Sequence, residues 1–428
     1  MIEIFSNKYN TTSTSKILSV LIFLFPIAGM SVRHWYSTLV SLIILIGIYL
    51  IYCDIKNNVK FKKKYSRNEI TLMGLIALLF VSYLISGFAN GWDDNQLRYF
   101  SREMNFILFI PLYVAVRNIQ NSIELIILGT LISSIVILFQ FINDVYINPT
   151  PFSTVQGAYS HLLIGPVAIM SFFMTFSLYK YFPKEWTWKI ALFVAMSLFF
   201  IGGAYSRSGT AYVLFAVMSL LAPLMIIRNT FIKLACVVLL VTLLFQLYLH
   251  SNTVKTGINR VLDSAEYTYQ LSKDDLVKSD KQLGTLGDRI VLWMSAWEIF
   301  KDNVFFGIGR GNYNLHVREY YEKEKVHFEV ITHGHPHSIY FETMASKGLV
   351  GLIVLGFIIF YVFRNYLFWR KHKLRFVDTA LIHMLSITII GIGASAPLIK
   401  NNFMAIFLCY LAIFFSSMEK EYRNNANK

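Results

Sequence analysis

The stretch YSTLVSLIILIGIYLIYCDIKNNVKFKKKYSRNE, residues 36–69, joins an apolar run to a connection that carries six lysine or arginine residues. The apolar part, 36–53, is long enough for a helix to cross the hydrocarbon core of a bilayer. Lysine and arginine accumulate in the short connections that remain in the cytoplasm. The stretch therefore predicts a transmembrane helix that ends on the cytoplasmic side.

Similar apolar runs recur along the whole chain of 428 residues, which is 55% hydrophobic and only 15% charged. Its mean hydropathy is +0.52. This composition excludes a soluble globular protein and predicts an all-α polytopic membrane protein. About twelve transmembrane helices are expected, near residues 17–32, 36–53, 70–88, 103–116, 123–142, 157–179, 190–205, 209–227, 234–250, 348–363, 377–395 and 402–417.

Basic residues in the connections set the predicted orientation. Connections 54–69, 180–189 and 364–375 carry six, three and five lysine or arginine residues. The basic residues in the short connections on the other side are Arg33, Arg98, Arg102, Arg207 and Lys400. The first group is therefore expected in the cytoplasm together with both termini. The net charge of +14 is then mainly an orientation signal, and nucleic-acid binding is disfavoured because no soluble domain carries a basic patch.

One connection is much longer than the others and divides the chain into three predicted parts. Residues 1–250 form a bundle of spans 1–9, residues 251–347 form a large exterior loop with short helices, and residues 348–428 form spans 10–12 and a cytoplasmic tail. Catalytic elements are expected in the loop because it is the only exterior segment long enough to build a site.

Two segments of the loop have sequence patterns that predict their local structure. LGDRIVLWMSAWEIFKDN has apolar residues at a helical period, with Asp288 as the expected N-cap, so we predict an amphipathic helix on the membrane surface or on the bundle. FFGIGRGNYN, residues 305–314, resembles a dinucleotide fingerprint, but no strand precedes it. A tight turn is expected there.

Arg207 interrupts a long apolar segment, LFFIGGAYSRSGTAYVLF, where the chain turns at the exterior face. An arginine at membrane depth costs about 2.5–3.5 kcal/mol on insertion scales, so it normally has a partner or a ligand. We favour an anion-binding role for Arg207. Snorkelling to lipid phosphates or pairing with a carboxylate remains the alternative.

Three further arginines are candidates on the exterior side. Arg289 begins the amphipathic helix, where it either binds an anion or pairs with Asp288 or Glu298. Arg98 and Arg102 are four residues apart, which places them on one helical face at the exterior end of the fourth span. They face either lipid headgroups or the substrate.

The segment THGHPHSIYFETMASKGLVG, residues 332–351, leads from closely spaced histidines into a span. The alternating positions would place these histidines on one side of an extended chain, which is a tolerable zinc-ligand spacing: His333, His335 and His337. A metal site is disfavoured because Pro336 restricts the geometry and no other ligand cluster is evident. His337 is the preferred candidate for a general base, oriented by Glu342, with purely structural histidines as the alternative.

A histidine base and exterior arginines at the bilayer surface suggest one class of reaction. The histidine would deprotonate a hydroxyl nucleophile, and the arginines would stabilise a diphosphate leaving group bidentately. A lipid-diphosphate-linked sugar fits this arrangement, with its tail between helices and its charged head at the surface.

Several short blocks, in this order along the chain, resemble the O-antigen ligase and polymerase superfamily of bacterial inner membranes. The blocks are GAYSHLLIGP (157–166), AYSRSGTAYVLF (204–215), LGDRIVLWMSAWEIF (286–300), FFGIGRGNYN (305–314) and HPHSIYFETMASKGLVGL (335–352). The resemblance implies a GT-C-like, inverting, metal-independent glycosyltransferase that needs no cofactor. The implied donor is O-antigen linked to undecaprenyl diphosphate. In O-antigen ligases the acceptor is a sugar hydroxyl of lipid A-core, and the active site lies on the periplasmic face.

The resemblance also assigns roles to individual residues. The intramembrane arginine of the family falls on Arg207, its loop arginine on Arg289 and its essential histidine on His337. Ser338 stands where the family often has asparagine. The residues expected to bind substrate beside them are Arg98, Arg102, His161, His335 and Glu342.

Four functions remain open at this point. An O-antigen ligase of lipopolysaccharide biosynthesis is favoured over an O-antigen polymerase because the chain has one large exterior loop, whereas polymerases tend to have two of comparable length. A protein O-glycosylating relative is a lesser possibility. A polysaccharide transporter or flippase is disfavoured because the chain has no internal repeat and its unexplained charges cluster on one side.

Overall fold

The computed structural model describes residues 13–32, 34–148, 161–181, 185–227, 229–250, 284–327, 330–331, 333–393 and 401–426, with a few single positions between 255 and 266. Over these residues the chain is helical throughout, apart from its connections. The helices are α1 (Ser13–Ser31), α2 (Trp35–Lys56), α3 (Phe61–Lys64), α4 (Arg67–Asn90), α5 (Asp94–Arg117), α6 (Ser122–Ile142, extended by a π turn to Ile147), α7 (His161–Leu178), α8 (Trp186–Tyr205), α9 (Gly209–Ile226), α10 (Thr230–His250), α11 (Gly284–Asp302), α12 (Tyr313–Glu322), α13 (Ile339–Lys371), α14 (Val377–Gly393) and α15 (Asn401–Ala426).

Within the described ranges, eight helices are long and apolar enough to cross a membrane: α1, α2, α4, α6, α8, α9, α13 and α15. Helices α7 and α14 are apolar but shorter, and α5 and α10 lie at the remaining predicted positions. The prediction of an all-α polytopic membrane protein is confirmed. Each expected span coincides with a helix, and twelve as the number of crossings stays a prediction.

The C-terminal helix α15 forms the centre of the bundle. In its span, 89% of the residues are buried, compared with 28–44% in the other seven long apolar helices. Helix α15 packs against α2, α4, α5, α6 and α14. A helix that is apolar on all sides is expected to lie inside a bundle rather than at its edge, and the run Phe403–Phe415 is buried throughout.

Helix α13 is two helices joined at a kink. Gly348 has φ 64° and ψ −156°, which separates the short segment 339–347 from the long apolar segment that follows. Only glycine adopts such a backbone conformation without strain. The expected start of this span at residue 348 therefore agrees with the structure, and the histidine segment precedes a short helix rather than the span itself.

The turn 303–312 lies directly on this kink. The N–H groups of Ile308 and Gly309 donate to the carbonyls of Ala345 and Ser346 at 2.9 and 3.1 Å. A Cβ on Gly348 would lie 2.5 Å from the carbonyl of Phe305. The predicted tight turn is confirmed, and its glycines permit backbone-to-backbone contact with α13.

The loop helix α11 differs from its prediction in two respects. It begins at Gly284, so Asp288 lies inside the helix and the expected N-cap is wrong. The buried face, in the core that α11 shares with α12 and α13, contains Val291, Leu292, Ala296 and Ile299. The apolar residues whose spacing predicts the helix are half-buried, except Trp297, which is 48% exposed. They are Ile290, Trp293, Met294, Trp297 and Phe300. The sequence is apolar at so many positions that its period fits either face.

Candidate active site

The C-terminal end of α14 brings together the elements that carry the candidate residues. The Ser338 hydroxyl, next to His337, donates to the carbonyl of Gly391 at 3.3 Å. Two residues later, a Cβ added to Gly393 would lie 2.8 Å from Nη1 of Arg289 and 3.6 Å from Oγ1 of Thr210. The histidine segment (residues 333–338), α11 and the start of α9 therefore meet at the end of α14, where Gly391 and Gly393 have no side chain.

The three histidines form a cluster in a non-helical segment. The ring centroids of His335 and His337 are 4.2 Å apart, and those of His333 and His337 are 5.5 Å apart. The N–H of His337 donates to Nδ1 of His335 at 3.3 Å. His337 has φ 51°, a left-handed conformation that is uncommon outside glycine and is enriched in histidine, asparagine and aspartate. The imidazoles lie close together, although His337 departs from the extended conformation on which the expectation from their spacing depended.

Arg289 lies on the first turns of α11 and is half-buried against Gly393. Burial lowers the pKa of its guanidinium from the ordinary value, because removal from water disfavours the charged form. Guanidinium nevertheless remains protonated in proteins. A cation that has lost part of its hydration gains most from a bound anion, and bidentate pairing with phosphate oxygens suits its planar geometry.

Arg207 forms the corner between α8 and α9, with φ 52° and an exposed side chain. The corner is fixed by Ser206, whose hydroxyl donates to the Gly203 carbonyl at 2.6 Å and accepts from the Ser208 N–H at 3.3 Å. Gly165 of α7 lies directly against the Ser206 hydroxyl. The exposed guanidinium is therefore attached to a constrained backbone, three residues before Thr210.

The remaining basic candidates lie on α5 and α7. Arg98 is exposed, whereas Arg102 is half-buried with its guanidinium 4.8 Å from the centroid of the Tyr99 ring. Both belong to α5, so the expected common helical face is confirmed. His161 begins α7, and its side chain lies outside the described residues, as do Arg33 and Lys400.

Glu342 lies in a buried cluster of four charged side chains. Its Oε1 is 3.2 Å from Nη1 of Arg310, and Nε of Arg310 is 3.4 Å from Oε1 of Glu103. Lys347 Nζ is 2.6 Å from the other oxygen of Glu103. The structure thus places the Glu342 carboxylate against Arg310, and its expected pairing with a histidine stays a prediction.

Sequence reasoning missed three members of this cluster. Arg310 lies in a segment whose sequence predicts only a turn, and Glu103 and Lys347 lie at the borders of predicted spans. Two acidic and two basic side chains, each at most 6% exposed, neutralise one another, which is the condition for burying charge. The signal that could have found them is an ionisable residue beside an apolar run. The cluster ties α5, the turn and the short helix after His337 together.

The residues of the site suit anion binding and proton transfer. Among the described residues, no group of three or more histidine, cysteine, aspartate or glutamate side chains is placed to hold a metal ion. Imidazole can accept a proton near pH 7, and guanidinium groups can hold a developing negative charge. Fold and site therefore define a polytopic membrane protein with a polar, anion-compatible site at one end of its helical bundle.

Comparison with known proteins finds a family model that matches part of the chain. The sequence model of the family described as O-Antigen ligase matches residues 191–356, which include Arg207, Arg289, Arg310 and His337. This match confirms the resemblance to the O-antigen ligase superfamily, whose members are glycosyltransferase-like enzymes of the ligase or polymerase type. It does not separate the two types.

One relative extends the likeness beyond that region. An uncharacterized protein of Haemophilus influenzae is 24% identical over 349 residues, which cover 76% of this chain and 79% of the relative. Its description carries no activity, so the similarity supports a common layout and adds no function.

Proposed function

We propose that this protein is an O-antigen ligase, which transfers polysaccharide from undecaprenyl diphosphate to a sugar hydroxyl of lipid A-core. The observation that carries the proposal is the meeting of the His337 segment and Arg289 at the exterior end of α14. A base for a hydroxyl and a cation for a diphosphate are the two groups that this transfer needs.

The chemistry assigns one task to each group. His337 takes the proton of the acceptor hydroxyl, and the oxygen attacks the anomeric carbon from the face opposite the diphosphate. The new glycosidic C–O bond forms as the bond from the anomeric carbon to the phosphate oxygen breaks, which inverts the configuration. Arg207 and Arg289 hold the undecaprenyl diphosphate that leaves. No step requires a metal or a cofactor.

The other candidates act around this centre. Arg98, Arg102, His161 and His335 bind the diphosphate or the first sugars, and Glu342 holds the short helix that follows His337 through Arg310. The loop 251–347 carries the catalytic elements on the periplasmic face of the inner membrane. The bundle parts 1–250 and 348–428 shelter the lipid tail.

The O-antigen polymerase is the second candidate, because the matched family region is equally compatible with it. A polymerase uses the same donor but extends a second glycan linked to undecaprenyl diphosphate. The single large exterior connection in the sequence favours the ligase.

The test is transfer by the purified protein in detergent. The reaction contains undecaprenyl-diphosphate-linked glycan and lipid A-core, with and without a chelator, and the products are separated on a gel. We expect glycan on lipid A-core in both reactions. Loss of transfer with chelator would contradict metal independence.

The same reaction separates the alternatives. Longer lipid-linked glycan with untouched lipid A-core would make the protein a polymerase. If no product forms and labelled glycan crosses the membrane of proteoliposomes that lack acceptor, the protein is a transporter and the proposal is wrong.

A further inference from the structure

A cavity of about 620 Å³ lies at the opposite end of the bundle from the candidate site, on the face that the basic connections predict to be cytoplasmic. It is bounded by the ends of α7 and α9 and by the connection between α13 and α14. Its volume falls in the range of small-molecule sites. The lining residues are Lys180, Tyr181, Met225, Ile226, Arg370, Lys371, Lys373, Leu374, Val377 and Asp378.

The polar lining is strongly cationic. Asp378 is the carboxylate of the cavity, and it is bound by Lys180 and by Nε of Arg370, the latter at 3.0 Å. Lys371 and Lys373 are exposed, and in the described part of the chain no carboxylate lies within 4.0 Å of either ammonium group. A concave surface with an excess of one sign of charge concentrates ions of the opposite sign.

The two lysines are carried by a fixed connection. Lys373 and Phe376 have φ of 55° and 61°, and Leu374 and Phe376 within the connection are buried. The Phe376 ring lies 5.1 Å from the ring of Tyr181 at the end of α7. The positions of the lysine backbones are therefore set before any ligand binds, which reduces the entropic cost of binding.

The apolar lining indicates an anion that carries apolar chains. Met225 and Ile226, the last residues of α9, form one wall, and Leu224 beside them is 45% exposed on the bundle surface. Leu367 of α13, which lies one helical turn before Lys371, is 49% exposed. A ligand in the cavity can therefore hold its charge among the lysines while its apolar chains lie along exposed apolar side chains of α9 and α13.

We propose that this cavity binds the phosphate groups of an anionic phospholipid of the cytoplasmic leaflet. Basic pockets between transmembrane helices on that side are the setting in which such headgroups are recognised. The proposal rests on the predicted orientation and is independent of the transfer reaction. A lipid with two phosphates uses both free lysines, so it binds more tightly than a lipid with one.

The test measures lipid binding to the purified full-length protein by native mass spectrometry. The probes are cardiolipin, which has two phosphates, the zwitterionic phosphatidylethanolamine and inorganic phosphate. The variant is Lys371→Gln with Lys373→Asn, because asparagine tolerates the left-handed conformation at position 373. The matched control, Lys56→Gln with Lys60→Gln, removes two exposed lysines from another connection of the same predicted face.

We expect cardiolipin to bind the wild type and the control equally, and the cavity variant to lose about tenfold or more in affinity. If the double variant does not fold, Lys371→Gln alone is expected to lose about fivefold. Equal binding of cardiolipin and phosphatidylethanolamine, or an unchanged affinity in the variant, would overturn the proposal. Displacement of the lipid by millimolar inorganic phosphate would show a site for free phosphate instead.

Discussion

At the scale of single residues, two of the candidates share an uncommon backbone conformation. Arg207 has φ 52° and His337 has φ 51°, and a residue with a Cβ pays roughly 1–2 kcal/mol in this region. Such strain persists where the surrounding structure fixes the backbone, and it concentrates at functional sites. Here serine hydroxyls fix the backbone, because those of Ser206 and Ser338 donate hydrogen bonds to backbone carbonyls of α8 and α14.

Arg310 is the residue whose loss we expect to cost most stability outside the transfer centre. Arg310→Met leaves Glu342 buried without its cation, and breaking a buried ion pair on one side costs about 3–5 kcal/mol. The free energy of unfolding in detergent should fall by that amount. Arg318→Met, which removes an exposed arginine from α12, should change it by less than about 0.5 kcal/mol.

A double variant checks the cause of that loss. Adding Glu342→Gln to Arg310→Met removes the buried carboxylate charge that has lost its arginine, so the double variant should be more stable than Arg310→Met alone. Equal stability of the single variant and the wild type would show that the cluster does not hold the loop turn to α5 and α13.

At the scale of secondary-structure elements, the joint between the turn 303–312 and the kink of α13 positions the histidine segment. Leu349 donates to the carbonyl of Val304 at 2.7 Å, one residue after the kink. The short helix 339–347 is thereby held on the turn at one end, while Ser338 ties its other end to α14. Both ends of the short helix that follows His337 are therefore fixed.

Gly348→Ala is expected to break this joint. The added Cβ would meet the Phe305 carbonyl at 2.5 Å in a backbone conformation that side chains rarely adopt, so we expect a loss of about 2 kcal/mol or more and weakened transfer. Gly356→Ala is the control in the same helix, because a Cβ there meets nothing within 4 Å. It should be neutral or stabilising. If both variants unfolded at the same temperature, the contact between the turn and the kink would not contribute to stability, and this prediction would be wrong.

At the scale of the whole molecule, the protein is a bundle around α15 with different chemistry at its two ends. The end of α14 near residue 391 gathers histidine and arginine side chains, whereas the other end carries the lysine-lined cavity. The proposed transfer uses periplasmic substrates and requires that the first end face the periplasm, so orientation is part of the functional proposal.

Cysteine labelling on intact cells tests that orientation. In a background without native cysteines, Leu315→Cys on α12 should react with a membrane-impermeant maleimide, and Asn57→Cys in the basic connection should react only after the membrane is opened. Both positions are exposed. The reverse pattern would place the candidate site in the cytoplasm.

The sequence predicted the parts of this structure that depend on local pattern. The spans followed from hydropathy, and the residue types of His337, Arg207 and Arg289 pointed to the site. The central position of α15, the cluster around Arg310 and the contact of Arg289 with Gly393 each join segments far apart in the chain. No local pattern encodes such contacts, and the N-cap at Asp288 failed because the helix continues one turn further back.

The most direct test of the central claim is the transfer rate of His337→Asn in the purified system. Asparagine accepts the left-handed backbone, so the change removes the imidazole with little effect on the fold. We predict a loss of about 100-fold or more in kcat, the contribution of a general base, with the donor KM within about twofold. His316→Gln, a half-buried histidine on α12, should keep the wild-type rate. A His337→Asn protein that folds and transfers glycan at more than roughly a tenth of the wild-type rate would contradict the assignment of His337 as the base.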